Sequence, residues 1–412
     1  LAKKIFFHSL NELITNAGVY KKAGVGVQER DLGIIENGAL LWDSAKGILW
    51  LGKTKDAPKA LVRGSKQIDC RGHFLSPALT DCHTHLVFAG SRHEEFASRV
   101  AGLSYQEISA KGGGIRSTVM ATRKASEKEL FNVALERIAV MKSHGVGVLE
   151  IKSGYGLDWV TERKQLRVIQ QLRKKSDLRI FSTFLGAHAF PPEAITEKQR
   201  NAYVDTVVNE MLPAVRREKL ADACDVFFDD GYFTEDQARR ILQAAIFQKL
   251  HIKLHADELA NTGGAKLAAE MSALSADHLL KADVDGISRM AKNGVVAVLL
   301  PGTAFYLGLK YPDVAMMRKQ GVCFALATDY NPGSSPTTNL PFMMSLGCLQ
   351  MGMTLPEAFA AATYGGANAL GLHDSEGALL IGKKPKIALF NQPSYKALIS
   401  QFAGVGSCRL LL

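Results

Sequence analysis

The sequence has no pair of cysteines at C-x-x-C spacing. Its six, Cys70, Cys82, Cys224, Cys323, Cys348 and Cys408, are scattered over 412 residues, and a chain of that length needs no disulfide staples. Reduced thiols in a cytoplasmic protein are the expectation. Long hydrophobic runs are missing too. The most apolar segment, 294–307, is interrupted by Pro301 and Gly302 and reads as a buried strand entering a loop, not as a bilayer span. Lys3 and Lys4 precede a short apolar stretch mixed with His8, Asn11 and Glu12, so no signal peptide is legible. No short-period repeat and no low-complexity linker is present. The formal net charge is +10, yet basic residues run together only in short clusters such as Arg173-Lys174-Lys175. Charge spread in this way reads as a solvated surface, not a nucleic-acid footprint, and it helps to draw in a small anion. The triplet Gly112-Gly113-Gly114 lacks the G-x-x-x-x-G-K-S/T pattern and no strand leads into it. It reads as a turning loop, not a phosphate cradle.

What is there is a globular balance, 47% hydrophobic and 22% charged, in a chain long enough for a large domain and a smaller one. Short apolar runs alternate with longer segments of helical periodicity. The expected strands are 75–80, 145–151, 180–185, 223–228, 251–255, 273–277, 295–300 and 323–327. Between them, 127–142, 161–175, 197–212 (stopped by Pro213), 234–249 and 263–271 carry helical patterns. Eight strand–helix units predict a parallel (β/α)8 barrel over residues 75–375. Residues 1–74 hold short strands between glycine turns, and the tail, 376–412, adds strands such as 386–390. The two ends are expected to meet in a small β-sandwich beside the barrel.

The strongest local signal is Asp81-Cys82-His83-Thr84-His85 at the end of the first expected strand. Side chains at i and i+2 share a face, so His83 and His85 can grip one ion; alone, the pair also reads as two ordinary histidines where a strand meets a loop. His255 and Asp329 tip the balance, because they too close predicted strands, where barrel enzymes place their chemistry. Three imidazoles and a carboxylate, with room for water, make an open catalytic site for zinc or iron. His188 and His278 end the third and sixth strands and read as substrate or transition-state contacts, against the blander reading of satisfied core histidines. His8, His73, His93, His144 and His373 lack that context, and His251 reads as a buried structural residue below His255. Strand parity turns Lys253 inward with His255, and a buried ammonium needs a partner. Glu150, one residue before Ile151 and two before Lys152, is the candidate.

These residues resemble a known group. The run from Pro77 to His85 is similar to the first-strand motif of the amidohydrolase superfamily. Leu86 to Arg92, Gly112 to Ile115, Glu150 to Leu157, His255 to Glu258 and Asp329 to Ser334 are similar to the imidazolonepropionases. The likeness spans about Pro77 to Leu372. Ala78 stands where the superfamily usually has glycine, Gly382 to Lys386 lacks the acidic residues expected there, and Ser407 to Leu412 is unlike the usual closing strand.

The resemblance implies one divalent metal, zinc or iron, on His83, His85, His255 and Asp329. It implies substrate contacts from Arg92, Tyr155, His188, Glu258, Asn331, Gly333 and Ser334, and a homodimer. The substrate would be 4-imidazolone-5-propanoate and the product N-formimidoyl-L-glutamate, a step of histidine degradation. In that chemistry Asp329 takes a proton from water, His278 steadies the developing oxyanion, and Glu258 protonates the leaving ring nitrogen. Arg92, with Tyr155 and His188, holds the propanoate arm. Two rivals use the same sequence differently. A ring deaminase needs no cation for a carboxylate arm, and a silent basic binding protein needs no complete ligand set; neither membrane nor nucleic acid is an expected partner.

Overall fold

The computed structural model describes residues 4–103 and 113–412. Strands are numbered along the chain: β1 Lys4–Ile14, β2 Ile34–Asp43, β3 Gly47–Lys53, β4 Lys66–Asp69, β5 Phe74–Pro77, β6 Leu79–Asp81, β7 Val146–Lys152, β8 Arg179–Ala187, β9 Ala223–Phe228, β10 His251–Ala256, β11 Ser275–His278, β12 Val296–Leu299, β13 Phe324–Leu326, β14 Ile387–Phe390 and β15 Cys408–Leu411. From β6 to β13 they form one eight-stranded parallel sheet in sequence order. The first and last strands meet at their C-terminal ends. There Thr84 bridges Tyr330, Asp329 N–H donates to His83 O at 3.0 Å, and the Thr328 hydroxyl donates to Asp81 at 2.6 Å. The result is the expected (β/α)8 barrel.

Its strands read as continuous runs because both faces are covered; every residue of β7 and of β9 is buried. The helices begin where their caps dictate. Ser126 and Glu129 form a capping box ahead of Glu127–Ser143, as do Thr234 and Gln237 ahead of Glu235–Phe247. Asp158 caps Trp159–Lys175 through the amide of Thr161. Among the described residues no helix is long and apolar enough to cross a membrane.

The chain ends meet in a second, seven-stranded sheet, order β15-β14-β5-β1-β2-β3, with β4 paired to the first half of β1. The tail that looked unlike a closing strand does close this sheet, with β15 antiparallel to β14.

Three expectations change. The first predicted strand is two strands: Phe74–Pro77 pairs with β14 in the end sheet, and only Leu79–Asp81 enters the barrel. The segment is buried throughout, so no change of hydrophobic period marks the switch. Pro213 does not stop its helix. Glu197–Thr206 widens into a π-turn, Val207–Met211, and continues as Leu212–Glu218 with Pro213 in its first turn. Proline crowds the carbonyl one turn back, and the wider turn relieves that clash. His251 is exposed; it has the inward parity of His255 but sits at the open lower rim of the barrel. Gly112 lies outside the described residues, while Gly114, at φ 76°, caps Ile115–Lys124.

Candidate metal centre and active site

Every predicted site residue lies at the C-terminal end of the barrel, in the loops and last turns of β6, β7, β8, β10, β11 and β13. His83 and His85 follow β6 by two and four residues, and the i, i+2 spacing brings their Nε2 atoms to 3.3 Å. Asp329 Oδ1 faces both, 3.4 Å from His83 Nε2 and 3.5 Å from His85 Nε2. Its other oxygen accepts from the Thr303 hydroxyl at 2.6 Å. The donor atoms of His83, His85 and Asp329 lie within 4.8 Å of one another; His255 forms similar groups with His83 and His278 and with His85 and His188. All three imidazoles are buried, and neither ring nitrogen of His255 has a hydrogen-bond partner.

The tautomer of His83 follows from its neighbour. Nδ1 lies 2.6 Å from Asp277 Oδ2, and a carboxylate accepts, so Nδ1 carries the proton and Nε2 bears a lone pair. Burial and the Lys152 ammonium push this imidazole well below its ordinary value, which keeps it neutral. Burial opposes charge on Asp329, but hydrogen bonding from His85 and the nearby imidazoles overcome it and hold the carboxyl down at about 2. The His83 lone pair and the ionised Asp329 carboxylate thus face one buried space. That arrangement fits a divalent cation, whose charge it attracts and whose ligands it supplies.

Above the imidazoles opens a cavity of about 470 Å³, lined by every predicted site residue except His83, which lies beneath. The volume is that of a small-molecule site. Glu258 stands over it, its Oε2 3.6 Å from His278 Nε2, and burial pushes its carboxyl up against the opposing pull of His278. Asp229 anchors the Glu258 turn, accepting from the amides of Glu258, Leu259 and Ala260 at 2.7, 2.9 and 3.1 Å. His278 and Asp329 have φ values of 79° and 51°, a left-handed backbone that non-glycine residues rarely adopt and that gathers at functional sites. Arg92 pairs with Glu95 through Nε and Nη2, at 2.9 and 2.6 Å, which leaves Nη1 beside Gly333. Tyr155 is buried against His85 and His188. The Asn331 amide folds back onto its own loop, bonding Asp329 O, Ser334 and the Gly333 amide.

Sequence reasoning finds the Lys253–Glu150 pair, 2.6 Å apart, but not the rest of the layer beneath the imidazoles. Lys152, Asp225 and Asp277 belong to it. The available signal is a charged residue inside an apolar strand, as Asp225 is within Ala223–Phe228, since burial demands a partner.

Comparison with known proteins gives the family of the chain. The model of the amidohydrolase family matches residues 74–408. The imidazolonepropionase of Geobacillus kaustophilus is 46% identical over 96% of this chain and 94% of its own length. That of Bradyrhizobium diazoefficiens is 48% identical over 88% and 89%. Among solved structures, a zinc-bound adenosine deaminase from Xanthomonas campestris matches with a TM-score of 0.71 at 16% identity, covering 100% of this chain and 91% of that one. A triazine hydrolase variant matches with the same score and identity over 99% and 93%. At such identity the likeness is one of fold.

Proposed function

This chain belongs to the amidohydrolase family and, within it, to the imidazolonepropionases, and from that premise we infer that it opens the cyclic amide of 4-imidazolone-5-propanoate to N-formimidoyl-L-glutamate in histidine degradation. The observation that carries the reading is the meeting of His83, His85 and Asp329 at 3.3–3.5 Å beneath a cavity whose wall holds Arg92.

His83, His85, His255 and Asp329 hold a divalent metal. We assign zinc, although the same donors accept iron. When bound, the ion makes water nucleophilic near neutral pH and polarises the carbonyl under attack. Asp329, ionised and steadied by Thr303, would take the proton from the attacking water. His278 faces the same space and donates to the oxygen on which negative charge develops. Glu258 holds the ring nitrogen and protonates it as the C–N bond breaks; its raised carboxyl keeps a proton available.

The propanoate arm meets the Nη1 edge of Arg92 and the Tyr155 hydroxyl. For His188 we assign the part of an acceptor. Its Nδ1 lies 3.0 Å from Gly154 O, so the proton is on Nδ1. Burial, with His85 and His255 nearby, holds the ring well below its usual value. The lone pair on Nε2 therefore accepts from a substrate N–H and does not donate to the carboxylate. Asn331 and Ser334 act by fixing the loop that carries Gly333.

The thiols of Cys70, Cys82, Cys224, Cys323 and Cys348 are in no disulfide, which suits a reducing cytoplasm. The exposed aromatic surface of Phe96, Phe305 and Phe402 gives a homodimer an apolar face. Product analysis tests the central reading. Imidazolonepropionate must yield formimidoylglutamate without free ammonia, whereas ammonia release would mark a ring deaminase.

A further inference from the structure

Two lysines that the reaction does not use lie directly beneath the imidazoles. Lys152 and Lys253 are fully buried. Lys152 Nζ reaches Asp225 Oδ2 at 2.7 Å, Glu150 Oε1 at 3.1 Å and Asp277 Oδ2 at 3.5 Å. Lys253 Nζ reaches Glu150 Oε2 at 2.6 Å and Asp277 Oδ2 at 3.6 Å, and donates to Cys82 O at 2.9 Å. Glu150 thus bridges both ammonium groups, and the Thr183 hydroxyl donates to it at 2.5 Å.

The other two carboxylates face the imidazoles. Asp277 Oδ2 accepts from His83 Nδ1 at 2.6 Å, while its Oδ1 accepts from Ser275 at 2.5 Å. Asp225 Oδ2 lies 3.1 Å from His255 Nδ1, out of line for a hydrogen bond, and Oδ1 accepts from the His255 amide at 3.1 Å. Each aspartate is therefore held between an ammonium below and an imidazole above.

Stability does not explain such a layer. Buried ion pairs are often matched or bettered by apolar residues of the same volume. Position explains it better, because the carboxylates meet the Nδ1 atoms of two rings whose centroids are 4.6 Å apart, and Nε2 of His255 is buried with no partner of its own.

We propose that Lys152 and Lys253, bridged by Glu150, are positioning residues that lock Asp277 and Asp225 against His83 and His255 and so turn both Nε2 atoms toward the metal. This rests on the reading that His83, His85, His255 and Asp329 are the ligands. Partners of this kind fix the ring orientation and are worth about 10- to 100-fold in metal affinity.

The test is zinc affinity by competition with a chromophoric chelator, together with the visible spectrum of the cobalt(II)-loaded protein. It compares the unaltered protein with Lys152→Met, Lys253→Met and the charge-matched pair Lys152→Met/Glu150→Gln. The pair removes opposite charges that touch each other, so it keeps the test open if a single variant does not fold. Folded variants are expected to bind zinc roughly 10- to 100-fold more weakly, with shifted cobalt(II) bands as the imidazoles turn. Unchanged affinity and unchanged bands in a folded variant overturn the proposal. If the unaltered protein binds no zinc, the ligand reading itself fails, and the proposal with it.

Discussion

A methyl group on Gly333 would run into Nη1 of Arg92. The glycine keeps open the space in which the guanidinium lies along the cavity wall, with its other edge held by Glu95. The atom in the way is the far end of a flexible side chain, so Gly333→Ala should displace Arg92 and leave the barrel intact. The expected outcome is a rise in KM for the propanoate substrate of about tenfold, or roughly 1.4 kcal/mol, with metal content unchanged. Steady-state kinetics beside metal analysis check it.

Glu258→Gln keeps the shape of the side chain and removes the transferable proton. Turnover should fall by about 10²- to 10⁴-fold with the metal retained. The sign of the pH effect follows from burial, which raises the Glu258 carboxyl above its ordinary 4.5. A step that needs the protonated acid runs below that raised value and is lost as pH climbs through it. The kcat profile of the unaltered protein should show this falling limb, and the variant's residual rate should not.

Asp229 does not line the cavity, but it holds three successive amides of the Glu258 turn. Asp229→Ala frees that turn. A displacement of about 1 Å costs on the order of 10² in rate, so kcat should drop while zinc binding stays. Equal loss of zinc and of rate would place Asp229 in the metal support instead.

Removing the metal leaves buried carboxylates without their counter-charge, so thermal stability should follow zinc concentration. At about 100 times Kd a ligand that binds only the folded state contributes roughly 2.7 kcal/mol. Calorimetry on chelated and zinc-loaded protein should show a higher Tm for the loaded form, rising with free zinc. A Tm indifferent to zinc would speak against the buried charge layer as described.

Much of this architecture is legible in the sequence because the barrel leaves simple marks. Strands buried on both faces are apolar runs, as in Ala223–Phe228, and histidines at strand ends stand out against them. The i, i+2 rule places His83 beside His85, and parity places Lys253 inward against Glu150. What parity does not carry is depth: His251 shares the direction of His255 but lies at the open rim. Nor does it carry partnership across the barrel. Asp277 reaches His83 from 194 positions away, and only closure of the sheet brings them together. The switch of sheets at Ala78 is invisible for a different reason, since both strands are buried on either side of it. Hydrogen-bond direction is likewise absent from sequence, and it is Gly154 O that places the proton of His188 on Nδ1.

The most direct measurement is turnover of freshly prepared imidazolonepropionate, followed by loss of its ultraviolet absorbance, with and without a metal chelator. The account predicts loss of absorbance with stoichiometric formimidoylglutamate, abolished by the chelator and restored by zinc. No turnover by fully zinc-loaded protein, or turnover untouched when the metal is stripped, would contradict it.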